Sequence, residues 1–104
     1  MESDKHLSEA LRLIRVFNDL SQKDLAEKLD ISRSYLSELE KGHKDPSMTI
    51  VQKYGEFFNI KPSAILFFSE KLGKNKDLQG QSFAIQKLLL STMKFFEGFN
   101  EETL

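Results

Sequence analysis

An all-α bundle is the fold this sequence predicts, and three observations predict it. Two helix-start signals, at Ser21 and Ser32, leave only Asp30 to Ser32 to turn the chain between two short helices. Apolar residues elsewhere recur at spacings of three and four, the period of an amphipathic helix. Asn59 and Pro62 supply a helix stop and a helix start further along. The organisation expected is a five-helix bundle over residues 1–70, a linker over 71–81 and a C-terminal amphipathic helix within 82–104.

The first helix is carried by Leu7, Leu11, Ile14 and Phe17 and should end near Asn18 or Asp19. Leu20, Ser21, Asp24 and Leu25 then occupy the N′, N-cap, N3 and N4 positions of a hydrophobic staple and capping box, so a second helix begins just after Ser21. Ile31, Ser32 and Leu36 repeat the signal for a third. Two helices joined so closely must cross steeply, and Ala26 is small enough for the crossing point. Leu25, Leu29, Leu36 and Leu39 give each helix an apolar side, and the arrangement is a helix-turn-helix.

Pro46 and Ser47 open a fourth helix with a stripe of Met48, Val51, Tyr54, Phe57 and Phe58, closed by Asn59. Pro62 starts a fifth, short helix. Its Ala64, Ile65, Leu66, Phe67 and Phe68 carry more apolar surface than a small bundle readily hides, which points to a partner. After Phe68 the run SEKLGKNKDLQGQ lacks apolar periodicity and reads as a linker or exposed turn. From Ser82 to Phe99 a last helix is expected, with Ile85, Leu88, Leu89, Met93 and Phe96 along one face. Such a face folds back on the bundle or pairs with another chain, and pairing into a homodimer is the expectation.

Helical geometry selects the residues of the third helix that can read a ligand. Counting from Arg33, Leu36 and Leu39 point to about 300° and 240°, so the buried direction is roughly 270°. Ser34, Ser37 and Glu38 lie opposite, at about 100°, 40° and 140°, with Arg33 and Tyr35 on the flanks. In a helix-turn-helix the start of the second motif helix enters the DNA major groove, where base edges present distinct donor and acceptor patterns. Arg33 suits guanine, Glu38 can accept from cytosine N4–H, and Ser34 and Ser37 can donate or accept. Lys41, His43 and Lys44 cluster just past that helix, where a loop would face the sugar-phosphate backbone. The free N–H groups opening the second and third helices add partial positive charge, and Ser32, Tyr35, Lys41, His43 and Lys44 are the expected backbone contacts.

Leu11, Arg12, Arg15, Ser21, Gln22, Leu25, Ala26, Ile31, Ser32, Tyr35, Leu36, Leu39, Glu40, Gly42, Pro46 and Ser47 carry a resemblance. Over roughly Leu7 to Phe68 the chain resembles the phage-repressor and Cro type of helix-turn-helix regulators. The resemblance implies a five-helix bundle that docks on operator DNA, usually as a dimer, and represses or activates transcription. It also implies that Gln22 anchors a phosphate, that Arg33, Ser34 and Glu38 stand at base-contact positions, and that Arg15 reaches Glu40. Asp19 and Asp30 replace glycines usual in the family. Aspartate tolerates the left-handed conformation better than most residues. A glutamate on the reading face is unusual, because backbone phosphates repel it.

Composition bounds the alternatives. At 104 residues, with 39% hydrophobic content, nine Phe and no Trp, the chain can bury one modest core. The absence of cysteine removes disulfides and thiolate metal sites, and a cytoplasmic setting is expected. MESDKHLSEA lacks the build of a signal peptide, and no apolar run is long enough to span a membrane. Net charge is −1, with seven basic against eight acidic side chains over residues 21–70, so DNA binding must rest on local placement of charge. Catalysis is not expected. Ser91 and Lys94 match the S-x-x-K of acylating serine enzymes without its companion motifs, and His6 and His43 lack neighbours at metal-ligand spacing. No cofactor or metal is expected. The expected function is a sequence-specific DNA-binding transcriptional regulator, a repressor acting as a homodimer on a palindromic double-stranded operator. A rival reading is an antitoxin-like module whose C-terminal helix and Phe67–Phe68 region grip a second protein.

Overall fold

A computed structural model describes residues 2–74, and side chains over 5–73, as five helices in sequence. These are α1 (Glu2–Phe17), α2 (Gln22–Leu29), α3 (Arg33–Lys41), α4 (Met48–Phe58) and α5 (Pro62–Lys74). Among the described residues there is no strand.

The caps form where the sequence placed them. Ser21 Oγ accepts from the Asp24 N–H at 3.0 Å, Ser32 Oγ from the Tyr35 N–H at 3.0 Å, and Ser47 Oγ from the Ile50 N–H at 3.2 Å. Each satisfies one backbone donor that the first helical turn leaves without a partner. Asp19, Asp30 and Asn59 adopt φ of 58°, 58° and 57°, so all three helix ends turn through the left-handed region on a short polar side chain. Lys53 adds an unforeseen cap, donating from Nζ to the Leu29 carbonyl at the end of α2.

α1 packs on α5 and α3, α2 on α3 and α4, and α4 on α5, enclosing one core. Leu11, Leu13 and Ile14 of α1 meet Leu25, Ala26 and Leu29 of α2, Leu36 and Leu39 of α3, and Ile50, Val51 and Tyr54 of α4 within it. Ile60, Ile65, Phe68 and Leu72 complete it. At the α4–α5 corner a β-carbon on Gly55 would stand 2.5 Å from the Ile60 carbonyl, so the turn can close only over glycine.

Two expectations need correction. The buried side of α4 runs through Ile50, Val51, Tyr54 and Gly55, leaving Met48 and Phe57 at 53% and 40% exposure. Met48, Val51, Tyr54 and Phe57 step by three, which drifts by about 60° per step around a helix of 3.6 residues per turn, so the two ends of that stripe leave the core-facing side, where Ile50 is buried instead. The fifth helix also continues to Lys74, past the expected linker start at residue 71. Ile65, Phe68 and Leu72 extend one buried face at helical spacing, which carries the helix past residue 71. The remainder of 71–81 and the expected helix at 82–99, with its interface residues Ile85, Leu88, Leu89, Met93 and Phe96, lie outside the described residues.

Tyr54 is fully buried beside Arg15 and Glu40, and its hydroxyl has no hydrogen-bond partner among the described residues. Burial, reinforced by the negative charge of Glu40, pushes its phenol pKa above the ordinary range. The native state therefore holds this proton more tightly than the unfolded chain does. Stability from that difference is fully present below about pH 10 and is lost as pH rises beyond it. Tyr54→Phe should leave stability at neutral pH within about 1 kcal/mol and reduce the loss in alkali. Urea unfolding of both proteins at neutral and alkaline pH checks this, and a loss of several kcal/mol at neutral pH would mean that the hydroxyl is well satisfied.

Candidate nucleic-acid interface

The interface is assembled on a buried ion pair. Arg15 Nε and Nη2 donate to Glu40 Oε2 and Oε1 at 2.7 and 2.9 Å, a two-pronged contact that joins α1 to the end of α3. Arg15 Nη1 also donates to the Leu20 carbonyl at 2.8 Å, tying in the turn before α2. The Glu40 side chain is only 2% exposed, so three N–H donors converge on a carboxylate withdrawn from water. The third is Gln22. Its Nε2 donates to Glu40 Oε1 at 3.0 Å. This bond brings the start of α2 against the end of α3 and orients the amide, because an ionised carboxylate only accepts.

The expected base readers occupy one side of α3. Arg33 and Ser34 are exposed, while Ser37 and Glu38 are half-buried. The opposite side sinks into the core through Leu36 and Leu39. The expected backbone contacts surround them. Ser32 is exposed, and while its oxygen caps α3 its O–H remains a donor. Tyr35 is half-buried against the core, and Lys41, His43 and Lys44 are exposed beyond the helix end. Gln22 is the one whose surroundings differ most from expectation. It is half-buried, with its amide nitrogen donating to Glu40.

The sequence reading missed two contacts here. Glu38 Oε1 lies 3.5 Å from His43 Nδ1, and Gln22 meets Glu40. The first was signalled by Gly42 between them, a helix-ending glycine that returns the next residue toward the last turn. The second had no local signal, since it links residues eighteen apart through tertiary packing. Away from this face, Arg12 forks onto Glu9 at 2.9 Å by both contacts, which raises the guanidinium pKa.

A family model described as helix-turn-helix matches residues 11–65, just over half of the chain and the stretch from α1 to α5 that builds this face. The chain belongs to the phage-repressor and Cro-type helix-turn-helix family. Two relatives agree. An uncharacterized HTH-type transcriptional regulator of Methanocaldococcus jannaschii is 37% identical over 60 residues, 58% of this chain and 91% of that protein. The immunity repressor protein of Bacillus phage phi105 is 33% identical over 60 residues, again 58% of this chain but 42% of the repressor. This helix-turn-helix protein is a DNA-binding transcriptional regulator, and its family is one of regulators rather than enzymes. Its polar α3 face, flanked by helix N-termini and a basic loop, has the chemistry that role needs.

Proposed function

We propose that this regulator represses transcription as a homodimer bound to a palindromic operator in the cytoplasm. α3 lies in the major groove, Arg33, Ser34, Ser37 and Glu38 read base edges, and Gln22, Ser32, Tyr35, Lys41 and Lys44 hold the backbone. The observation that carries this reading is the division of α3. Its apolar side is fully buried, and Arg33 and Ser34 stand exposed at the very end that a helix-turn-helix directs into the groove. Similarity to a phage immunity repressor supports repression, and self-complementary half-sites follow from two-fold pairing.

Selection of binding sites from random duplex DNA tests the reading, with a palindrome as the expected product. Arg33→Ala should then lose about 1 to 3 kcal/mol on that sequence and relax preference at one position. Gln22→Ala and Lys44→Ala should weaken all sequences alike. Equal losses on selected and random DNA for Arg33→Ala would contradict direct readout by that residue.

A second reading is favoured by a separate observation. Phe67 is 58% exposed on α5, beside Leu66 at 37%, and its ring carries Lys71 Nζ 5.2 Å from the centroid. Exposed apolar surface of this kind suits a protein partner, as an antitoxin-like module would require. Co-purification of one stoichiometric partner from the native host would support it.

A further inference from the structure

The carboxylate of Glu38 has an imidazole neighbour built into the fold. Glu38 Oε1 stands 3.5 Å from His43 Nδ1. The loop after α3 is organised on the same residue, since the N–H groups of His43 and Lys44 both donate to the Glu38 carbonyl, at 3.0 and 3.3 Å. Gly42 permits this by turning the chain at φ 80°. Backbone and side chain of Glu38 thus both engage the loop, and the helix end itself delivers the imidazole to the carboxylate.

An unaccompanied glutamate in the major groove can accept from cytosine N4–H, but the surrounding phosphates repel it. When protonated, the imidazole at 3.5 Å offsets that repulsion from beside one carboxylate oxygen and leaves the other for the base. We propose that His43 is a specificity-determining residue acting through Glu38, positioning and neutralising the carboxylate so that it reads cytosine, rather than a backbone anchor in its own right. This rests on the reading that α3 lies in the major groove. The other charged groups around the pair are Lys41 on α3, Lys44 and Asp45 in the loop, and Lys5 of α1, whose Cγ would lie 3.4 Å from a β-carbon at Gly42. His6, the other histidine, faces Gly73 where α1 meets α5.

A difference in binding between pH 6 and pH 8 that His43→Asn abolishes assigns that difference to this imidazole rather than to His6. The probe is the duplex that the full chain selects from a random pool, with affinities measured at pH 6 and pH 8 for the native protein, His43→Asn, Glu38→Gln and the double variant. The native chain should bind about fivefold more tightly at the lower pH, the scale of an exposed ion pair. His43→Asn should lose that gain and weaken cytosine preference at the position facing Glu38. In the Glu38→Gln background, His43→Asn should change nothing further. If His43→Asn costs as much there as in the native protein, the imidazole contacts DNA independently of Glu38 and the proposal is wrong. If cytosine preference survives Glu38→Gln, it is wrong as well. A chain that selects no sequence at all overturns the groove reading itself, and the proposal with it.

Discussion

Arg15→Ala lowers the unfolding free energy by about 3 to 5 kcal/mol, because it strands the Glu40 carboxylate in the core without its main partner. The side chains are 14% and 2% exposed, so solvent screens the pair little and water cannot replace the guanidinium without opening the junction of α1 and α3. Arg15 also holds the Leu20 carbonyl, and Gln22 shares the same carboxylate, so the loss extends to the start of α2. A domain of this size has only about 5 to 15 kcal/mol in all, and the variant should be largely unfolded at modest temperature. Replacing both partners with apolar residues of similar volume should recover much of the loss. Urea unfolding measures each variant, and a cost below about 1 kcal/mol for Arg15→Ala would place the pair among weak surface contacts.

Under the proposed dimer, truncation after Leu78 lowers operator affinity by about 10² to 10⁴-fold, the advantage of binding two linked half-sites at once. The described domain should remain folded, since its core is closed by Ile65, Phe68 and Leu72, all before the cut. The pairing face, Ile85, Leu88, Leu89, Met93 and Phe96, is then gone, and two recognition helices are no longer held one DNA turn, roughly 34 Å, apart. Sedimentation should report a monomer. A truncated chain that remains a dimer would move the interface to the exposed α5 surface at Leu66 and Phe67.

Local rules made much of the fold legible. Ser21, Ser32 and Ser47 cap their helices because the next few backbone N–H groups have no other acceptor, a demand that does not depend on the rest of the molecule. Asp19, Asp30 and Asn59 turn through the left-handed region because few other non-glycine residues do so at tolerable cost. The reading face of α3 could be drawn from angular position alone, and the burial of Leu36 and Leu39 agrees with it. The contact of Arg15 with Glu40 came instead from family resemblance, since no local rule joins residues so distant in the chain.

Sequence alone therefore determined the capped helix starts, the left-handed stop at Asn59 and the side of α3 that carries Arg33, Ser34, Ser37 and Glu38, while the left-handed turns at Asp19 and Asp30 came with the family resemblance. Tertiary structure decided which apolar residues are covered: Ile50, Ile60 and Leu72 are buried while Met48, Phe57 and Phe67 are exposed. It also decided that Gln22 shares Glu40 with Arg15 and that His43 sits beside Glu38. The physical reason is range. Capping and turn preferences are settled within a few residues by unpaired backbone donors and allowed φ. Burial and side-chain pairing depend on which surfaces of other helices arrive, and that depends on how all five pack around one core.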